Sequence, residues 1–300
     1  RKLLRLPMPG EERTRAAREI WANPIAWREA NTRGNGPTAV AMRWAFLAFA
    51  LLAGFVVLML YHTNRLPSLG FGNAADTLRS LLLILLLVEV AITVMVAIYM
   101  SAGAVSRERE DGTLDLLLTT PMTQKQYIWG KLRGLVSFLA LLLAAPILTL
   151  AMVSVYTFIG ELMQWPQAKP AVQFSTSGGT SRGNFPLIMP EAPIVLALML
   201  IPFVAMCVMI GMSWSLKAKG VVGAVVPSVA ILGAFTTVMG FCGFAAAENI
   251  PFIGAILNAF SPTTNLAMLV DPYARVAGFV SSGTATTLAG RVTLVIASIL

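Results

Sequence analysis

The polar residues with the clearest pattern lie between the second and third apolar runs. Residues 106–121 read Ser-Arg-Glu-Arg-Glu-Asp-Gly-Thr-Leu-Asp-Leu-Leu-Leu-Thr-Thr-Pro. The charged residues follow an apolar run, Gly112 permits a sharp turn, and Thr113 can cap a short helix that Pro121 ends. Leucines on such a short helix outside the lipid would form an exposed apolar face, which needs a protein partner. The pattern therefore predicts a docking segment rather than bond-making chemistry.

One carboxylate, Glu89, lies in the middle of the second apolar run. A charged side chain at this depth costs about 2.5–3.5 kcal/mol on insertion scales, so it should face protein or a water-filled path. Two interpretations stay open. In the functional interpretation, Glu89 contacts a substrate or ion or acts as a polar switch between two halves. In the structural interpretation, Glu89 is protonated and hydrogen-bonded to a neighbouring helix.

Other chemistry has little support in the sequence. His62 is the only histidine, which argues against a metal site, and we expect it at the membrane interface. The Gly130-Lys131 pair lacks the upstream glycine of a phosphate-binding loop and is followed by Leu132. Paired aspartates and Ser/His constellations at membrane depth are missing from the sequence, which disfavours an intramembrane enzyme. We expect no cofactor on this chain.

The composition identifies the class of protein that positions these residues. The 300 residues are 57% hydrophobic and 12% charged, with a mean hydropathy of +0.75. A soluble domain has about 25% charged residues, so a soluble enzyme is excluded, and disorder would need low hydrophobicity. The net charge of +8 fits loops facing anionic lipid better than nucleic-acid binding. Cys207 and Cys242 both lie in apolar runs, which disfavours disulfide and thiol-metal frameworks.

The sequence predicts an all-α polytopic membrane protein. The long apolar runs that could cross a membrane of about 30 Å are 44–62, 81–101, 135–159, 193–216 and 221–244. A sixth run begins near Arg291 and reaches only Leu300, so we expect the chain to be a piece of a longer reading frame. Residues 1–43 form a tail, and residues 44–300 form the membrane domain.

The distribution of basic residues predicts the orientation. With a cytoplasmic N-terminus, the inside segments 102–134 and 217–220 hold seven Lys and Arg, and the tail holds nine more. The longer outside segments 63–80, 160–192 and 245–291 together hold six. The positive-inside rule therefore places the N-terminus in the cytoplasm of a multi-pass protein of the cell membrane.

The tail and the outside segments have their own patterns. Asn23-Pro24 restarts a helix on which Trp27, Arg28 and Glu29 suit the membrane interface, and we prefer this interfacial elbow over a solvated linker helix. The Gly- and Ser-rich residues 175–184 predict a flexible loop. Within residues 245–291, apolar pieces too short to cross predict re-entrant or surface helices, one of them from Ser261-Pro262 to Asp271.

Two motifs resemble one transporter family. The arrangement E-R-E-D-G-T-L-D-L-L-L-T-T-P-M-T-x-x-Q, followed by Gly130-Lys131, is similar to the cytoplasmic loop of the type-two ABC export permeases. The upstream Asn-Pro-Ile-Ala-Trp-Arg-Glu stretch at 23–29 resembles the elbow of the same family. In layout, the resemblance covers the whole chain.

The resemblance implies a six-helix permease domain with an elbow helix, a cytoplasmic coupling helix and an outer re-entrant segment. ATP and Mg²⁺ would then bind a separate ATPase subunit, and the permease would pair with a second half in the lipid bilayer of a bacterial inner membrane. The implied ATPase-coupling residues are Glu108, Glu110, Gly112, Thr113, Leu114, Asp115, Leu116, Leu117 and Leu118. Two alternatives stay open: a secondary active transporter without an ATPase, and a loop that is only a polar hairpin between spans.

Overall fold

The computed structural model describes residues 37–66, 73–112, 123–176, 179–184, 186–249 and 261–271. The described residues form five long helices, a short β-hairpin between the third and the fourth of them, and one short helix after the fifth. The helices are α1 (Pro37–His62), α2 (Ala74–Glu110), α3 (Gln124–Leu162), α4 (Ala192–Lys217), α5 (Val221–Asn249) and α6 (Pro262–Val270), with a 3₁₀ turn at Pro166–Ala168. Between α3 and α4, β1 (Ala171–Thr176) pairs antiparallel with β2 (Gly179–Asn184).

Five of these helices, α1 to α5, are long and apolar enough to cross a membrane. Successive helices run in opposite directions, so the bundle has two ends. We call the end that holds Glu110, Gln124, Lys217 and Val221 the charged end, and the end that holds the β-hairpin and α6 the hairpin end. The prediction of a polytopic helical membrane protein is confirmed.

Helix α2 lies at the centre of the bundle and packs against each of the other five helices. Its buried leucines, Leu78, Leu82 and Leu86, recur every four residues and so lie on one face. They join a core that includes Leu139 of α3 and Leu196 of α4. Large apolar side chains on the outer faces of the helices, such as Phe49, Ile84 and Val155, are exposed, as expected where a bundle meets lipid.

The helices are longer than the predicted spans. Helix α2 has 37 residues and α3 has 39, whereas the sequence predicted spans at 81–101 and 135–159. At 1.5 Å per residue the two helices are about 56 and about 58 Å long, well beyond a core of about 30 Å. The predicted spans are therefore only the apolar middle parts of longer helices. The extra turns carry polar residues whose partners lie on neighbouring helices, which hydropathy cannot detect.

The hairpin end shows one difference from prediction and one agreement. Of residues 175–184, predicted to be a flexible loop, residues 175–176 and 179–184 belong to the β-hairpin, in which Val172 pairs with Gly183 and Phe174 with Ser181. The alternation of Val172 and Phe174 with polar residues is a strand pattern that the Gly- and Ser-rich composition obscured. The predicted helix from Ser261-Pro262 to Asp271 is present as α6, with Ser261 and Asp271 flanking it.

Several predictions fall outside the described residues. They are the elbow at 23–29, the leucine-rich segment at 113–118 and the sixth span from Arg291. These stay predictions.

Candidate functional site

Helices α2 and α3 approach each other at the charged end, on either side of residues 113–122. Helix α2 ends at Glu110, and Gly112 follows with φ of +65°, a left-handed conformation that favours glycine. Helix α3 begins at Gln124, directly after Thr123. The predicted turn at Gly112 is therefore present, and both flanks of the predicted docking segment are helical.

A buried ion pair joins these two flanks. Glu108 on α2 and Lys131 on α3 are 3% and 1% exposed, and Lys131 Nζ lies 2.7 Å from Glu108 Oε1. Lys131 also donates a hydrogen bond of 2.5 Å to the carbonyl oxygen of Ala104. The Tyr127 hydroxyl donates to the other carboxylate oxygen of Glu108. Both oxygens of the carboxylate thus have a donor, and the ammonium group has two acceptors.

The energetics of such a pair are asymmetric. Moving two charged groups out of water costs roughly several kcal/mol for each ion. The attraction between the two ions offsets this desolvation cost only when the geometry is good and further hydrogen bonds are present. Removal of one partner leaves the other charge buried without the attraction that offset its desolvation. The pair from Glu108 to Lys131 therefore holds the end of α2 and the start of α3 together as one unit.

The residues after Glu108 contact the turn between α4 and α5. Arg109 donates from Nη1 to the carbonyl oxygen of Ala218 and from Nη2 to that of Leu216, both at 3.0 Å. Glu110 Oε1 accepts a hydrogen bond of 3.2 Å from the backbone N–H of Val221. The last helical turn of α2 thus contacts both the end of α4 and the start of α5.

Helices α2 and α4 also approach closely just inside the charged end. A methyl group at Gly211 would lie 2.0 Å from Ser101 Oγ, so only glycine fits at this contact. One turn later, the Ser215 hydroxyl oxygen accepts hydrogen bonds from the backbone N–H groups of Val105 and Ser106, at 3.0 and 2.9 Å. Small residues that let backbones approach are typical of helix contacts in membranes. The α2–α4 contact therefore leaves little room for sliding.

Glu89 lies inside the bundle, between α2 and α3. Its side chain is 2% exposed, and Thr149 of α3 donates a hydrogen bond of 3.1 Å to Glu89 Oε1. Glu89 Oε2 is buried without a hydrogen-bond partner among the residues that the structure describes. In this conformation, a substrate could reach the carboxyl group only if the helices separated. The hydrogen bond to Thr149 agrees with the interpretation that Glu89 links neighbouring helices.

This hydrogen bond leads to a prediction for Glu89. Glu89→Gln keeps an acceptor oxygen for Thr149, so its free energy of unfolding should stay within about 1 kcal/mol of the parent value, whereas Thr149→Val removes the donor and should cost about 0.5–2 kcal/mol. Thermal unfolding of the purified chain in detergent measures both. If Glu89→Gln instead abolished transport without a change in stability, Glu89 would act through its charge, on the substrate path.

At the hairpin end, Arg79 connects α2 to α6. The Arg79 side chain is buried, and its Nη1 lies 3.6 Å from Asp76 Oδ1 and 3.5 Å from Asp271 Oδ1. His62 accepts or donates a hydrogen bond of 3.1 Å with the Tyr156 hydroxyl and packs against Trp165. His62 thus lies in an aromatic cluster at the end of α1, where interfacial aromatic side chains are common.

The structure brings together only part of the predicted coupling set. Glu108, Glu110 and Gly112 lie at the charged end, and the remaining residues, 113–118, are outside the described residues. Glu108 is buried and paired with Lys131, whereas Glu110 is exposed and accepts a hydrogen bond from the backbone of Val221.

Sequence reasoning missed the partners of these glutamates. The sequence predicts a role for Lys131 only in the Gly-Lys pair and among the inside basic residues, although its spacing of four residues from Tyr127 places both on one face of α3. Gly211 and Ser215, also four residues apart, were not noted, yet small residues at this spacing mark close helix contacts. The contacts of Arg109 with main-chain carbonyls had no sequence signal.

Comparison with known proteins adds a family match. The sequence model of one family, described as ABC-2 family transporter protein, matches residues 87–300, which is more than half of the chain. The matched region begins just before Glu89 and includes all the contacts of the charged end described above. Neither the curated proteins nor the solved structures give a match.

Proposed function

The chain belongs to the ABC-2 family of transporter proteins and is a permease component of an ABC transporter; on this premise we propose that it is one transmembrane half of an exporter that a separate ATPase subunit drives. The chain supplies the membrane path and no catalysis of its own, and ATP and Mg²⁺ bind the ATPase. A second permease half, a further copy or a related chain, completes the path across the lipid bilayer.

The observation that carries this proposal is the buried pair from Glu108 to Lys131. It joins α2 and α3 on either side of residues 113–122, the segment that resembles a coupling helix. A force on this segment would reach both helices as one rigid body, which is how packed helices transmit displacement. A passive hairpin between spans would not need a buried ion pair at its base.

Charge supports the proposed orientation. Among the side chains that the structure describes, the charged end carries the basic ones of Arg43, Arg107, Arg109, Lys125, Lys131, Arg133, Lys217 and Lys219, whereas the hairpin end carries those of Arg65, Arg79 and Lys169. Because basic residues concentrate on the cytoplasmic side, we propose that the charged end faces the cytoplasm of a bacterial inner membrane. The ATPase would dock there.

The test replaces Gly112–Leu118 with a flexible Gly/Ser linker of the same length. We expect the variant to reach the membrane but to lose the ATPase that co-purifies with the parent chain, because the leucine face of the docking segment is gone. A quadruple change of Leu114, Leu116, Leu117 and Leu118 to Ser should have the same effect. Affinity purification from detergent-solubilised membranes, followed by ATP hydrolysis measurements, gives the readout.

The matched control is an equally long Gly/Ser replacement of residues 175–181 at the hairpin end, which should leave the ATPase bound. If the linker variant still bound the ATPase and transported, the coupling assignment would be wrong. If transport continued in vesicles without ATP, driven by an ion gradient, the secondary-transporter alternative would gain support.

A further inference from the structure

Arg109 and Glu110 are neighbours of opposite charge, and each contacts a different helix end at the α4–α5 turn. The Arg109 guanidinium donates to the carbonyls of Leu216 and Ala218, at the C-terminal end of α4. The Glu110 carboxylate accepts from the N–H of Val221, the first residue of α5. We name this set of contacts the α2 clamp.

The charges match the polarity of the two helix ends. The last carbonyls of a helix lack intrahelical partners and carry partial negative charge, so they favour a cation, whereas the first N–H groups favour an anion. Gly220 precedes the first residue of α5, where Ser, Thr, Asp or Asn would normally cap the helix with a side-chain oxygen. Gly220 has no side chain, and the Glu110 carboxylate, from a different helix, accepts instead from the N–H of Val221 at the first position of α5.

Space at the turn agrees with this role. A methyl group at Gly220 would lie 2.6 Å from Glu110 Oε1, so the carboxylate occupies the volume that a side chain at this position would need. At Gly223, one turn into α5, a methyl group would lie 3.7 Å from the nearest heavy atom, the Cβ of Ala218, which is an ordinary contact. Glycine at 220 thus makes room for the α2 clamp.

Helix α5 is the least buried of the five spans. Within its most apolar window, 17% of the residues are buried inside the bundle, against 28–41% for the other four spans. A contact at the first residue of α5 therefore has more influence on this helix than a similar contact would have on the better-packed α2 or α3.

We infer that Arg109 and Glu110 are positioning residues that transmit movement of the α2 end to α4 and α5 through the α4–α5 turn. The inference rests on the proposed function, because the movement originates at the ATPase-docking segment that follows Gly112. A displacement of that segment moves the α2 end. The α2 clamp then shifts the turn, and α5 moves as a whole with it.

The chain holds a natural reporter for this movement. Of its two cysteines, Cys207 is buried and Cys242 is exposed, near the far end of α5 from the clamp. A thiol-reactive nitroxide label will therefore attach at Cys242 in the folded chain. The complex is purified through a tag on this chain, reconstituted in nanodiscs, and the mobility of the label is recorded with and without ATP.

Three variants break the clamp in different ways. Arg109→Ala removes the donor to α4, Glu110→Ala removes the acceptor for α5, and Gly220→Ala displaces the carboxylate without a change in charge. The matched controls are Lys219→Ala, which removes an exposed cation from the same turn, and Gly223→Ala, which adds a methyl group where there is room.

We expect each clamp variant to reduce the ATP-dependent change at Cys242 at least about fivefold, the lower range of typical coupling between sites. In Arg109→Ala, ATP hydrolysis should stay within about twofold of the parent rate, because Arg109 contacts only α4 carbonyl groups in the α2 clamp and is not one of the implied ATPase-coupling residues. A purely structural role would not uncouple the two readouts. The controls should resemble the parent chain.

Hydrogen exchange on the chain without ATPase tests the contact by itself. The Val221 amide should exchange about tenfold faster in Glu110→Ala and Gly220→Ala, since it loses its bond to a charged acceptor. An ATP response that persists in all three variants would overturn the inference alone. If the Cys242 label in the parent complex did not respond to ATP, both the proposed function and the transmission through the α2 clamp would be overturned. Exchange at the Val221 amide would still report whether the contacts of the α2 clamp exist.

Discussion

Lys131→Met is expected to lower the free energy of unfolding by about 3–5 kcal/mol, the usual cost of removing one partner of a buried ion pair. Glu108 would remain as a buried carboxylate without the Lys131 ammonium group that offsets its charge, and the Tyr127 hydroxyl would still donate to it. The methionine side chain fills similar volume without charge, so the loss reports electrostatics rather than a cavity. Thermal unfolding of the purified chain in detergent, followed by tryptophan fluorescence, measures the effect.

The double variant Glu108→Gln with Lys131→Met should recover most of this loss, because neither charge then remains buried. Lys125→Met is the matched control, since Lys125 is an exposed lysine in the first turn of α3, and its change should be within about 0.5 kcal/mol. If the single variant and the control had the same stability, Glu108 and Lys131 would not form the pair that holds the charged end together.

Gly211→Ala is expected to destabilise the chain by about 1–3 kcal/mol, as overpacking does in a filled interior. The new methyl group would lie 2.0 Å from Ser101 Oγ and 3.3 Å from the backbone nitrogen of Ala102, so α2 and α4 would have to move apart. Such a shift would also lengthen the hydrogen bonds from α2 to Ser215. The same thermal unfolding assay gives the measurement.

Gly233→Ala on α5 is the matched control, because a methyl group there meets no atom within 4 Å. It should leave stability unchanged or raise it by up to about 1 kcal/mol, the difference in helix propensity between the two residues. Addition of Ser101→Gly to Gly211→Ala removes the clashing hydroxyl and should restore part of the loss. Equal stability of Gly211→Ala and Gly233→Ala would show that α2 and α4 are not in close contact.

These two predictions concern the same part of the molecule. Near the charged end, α2 is tied to α3 by charge, through Glu108, and to α4 by close packing, through Gly211. Loss of either contact leaves the docking segment attached to a loosened helix. Lys131→Met and Gly211→Ala should therefore also reduce the rate of ATP-driven transport, and this reduction should exceed any change in ATP binding by the ATPase subunit.

Much of the architecture was predictable from hydropathy because a lipid environment allows few alternatives. A span must be apolar over about 20 residues and must satisfy its backbone hydrogen bonds internally, so long apolar runs are helices. Pro146, Pro202 and Pro227 lie inside helices, which membrane spans tolerate because neighbouring groups can satisfy the carbonyls that lose their intrahelical donor. The cap pattern at Ser261-Pro262 similarly located α6, because such signals act over a few neighbouring residues.

Helix lengths and the β-hairpin were less accessible to sequence reasoning. Polar turns of α2 beyond residue 101 remain helical because Ser106 and Glu108 find partners on α4 and α3. Hydropathy assigns such turns to water. In the hairpin, cross-strand pairing outweighs the flexible composition of residues 175–184.

By itself the sequence determined the membrane class, the five apolar spans, the turn at Gly112 and the motif on which the family resemblance rests, because each depends on composition or on neighbours along the chain. Only the tertiary structure decided that Glu108 meets Lys131, that Arg109 and Glu110 bind the α4–α5 turn, and that Gly211 adjoins Ser101. These contacts join residues from 23 to more than 100 positions apart. Their formation depends on how the helices pack, which a local pattern of residue types does not encode.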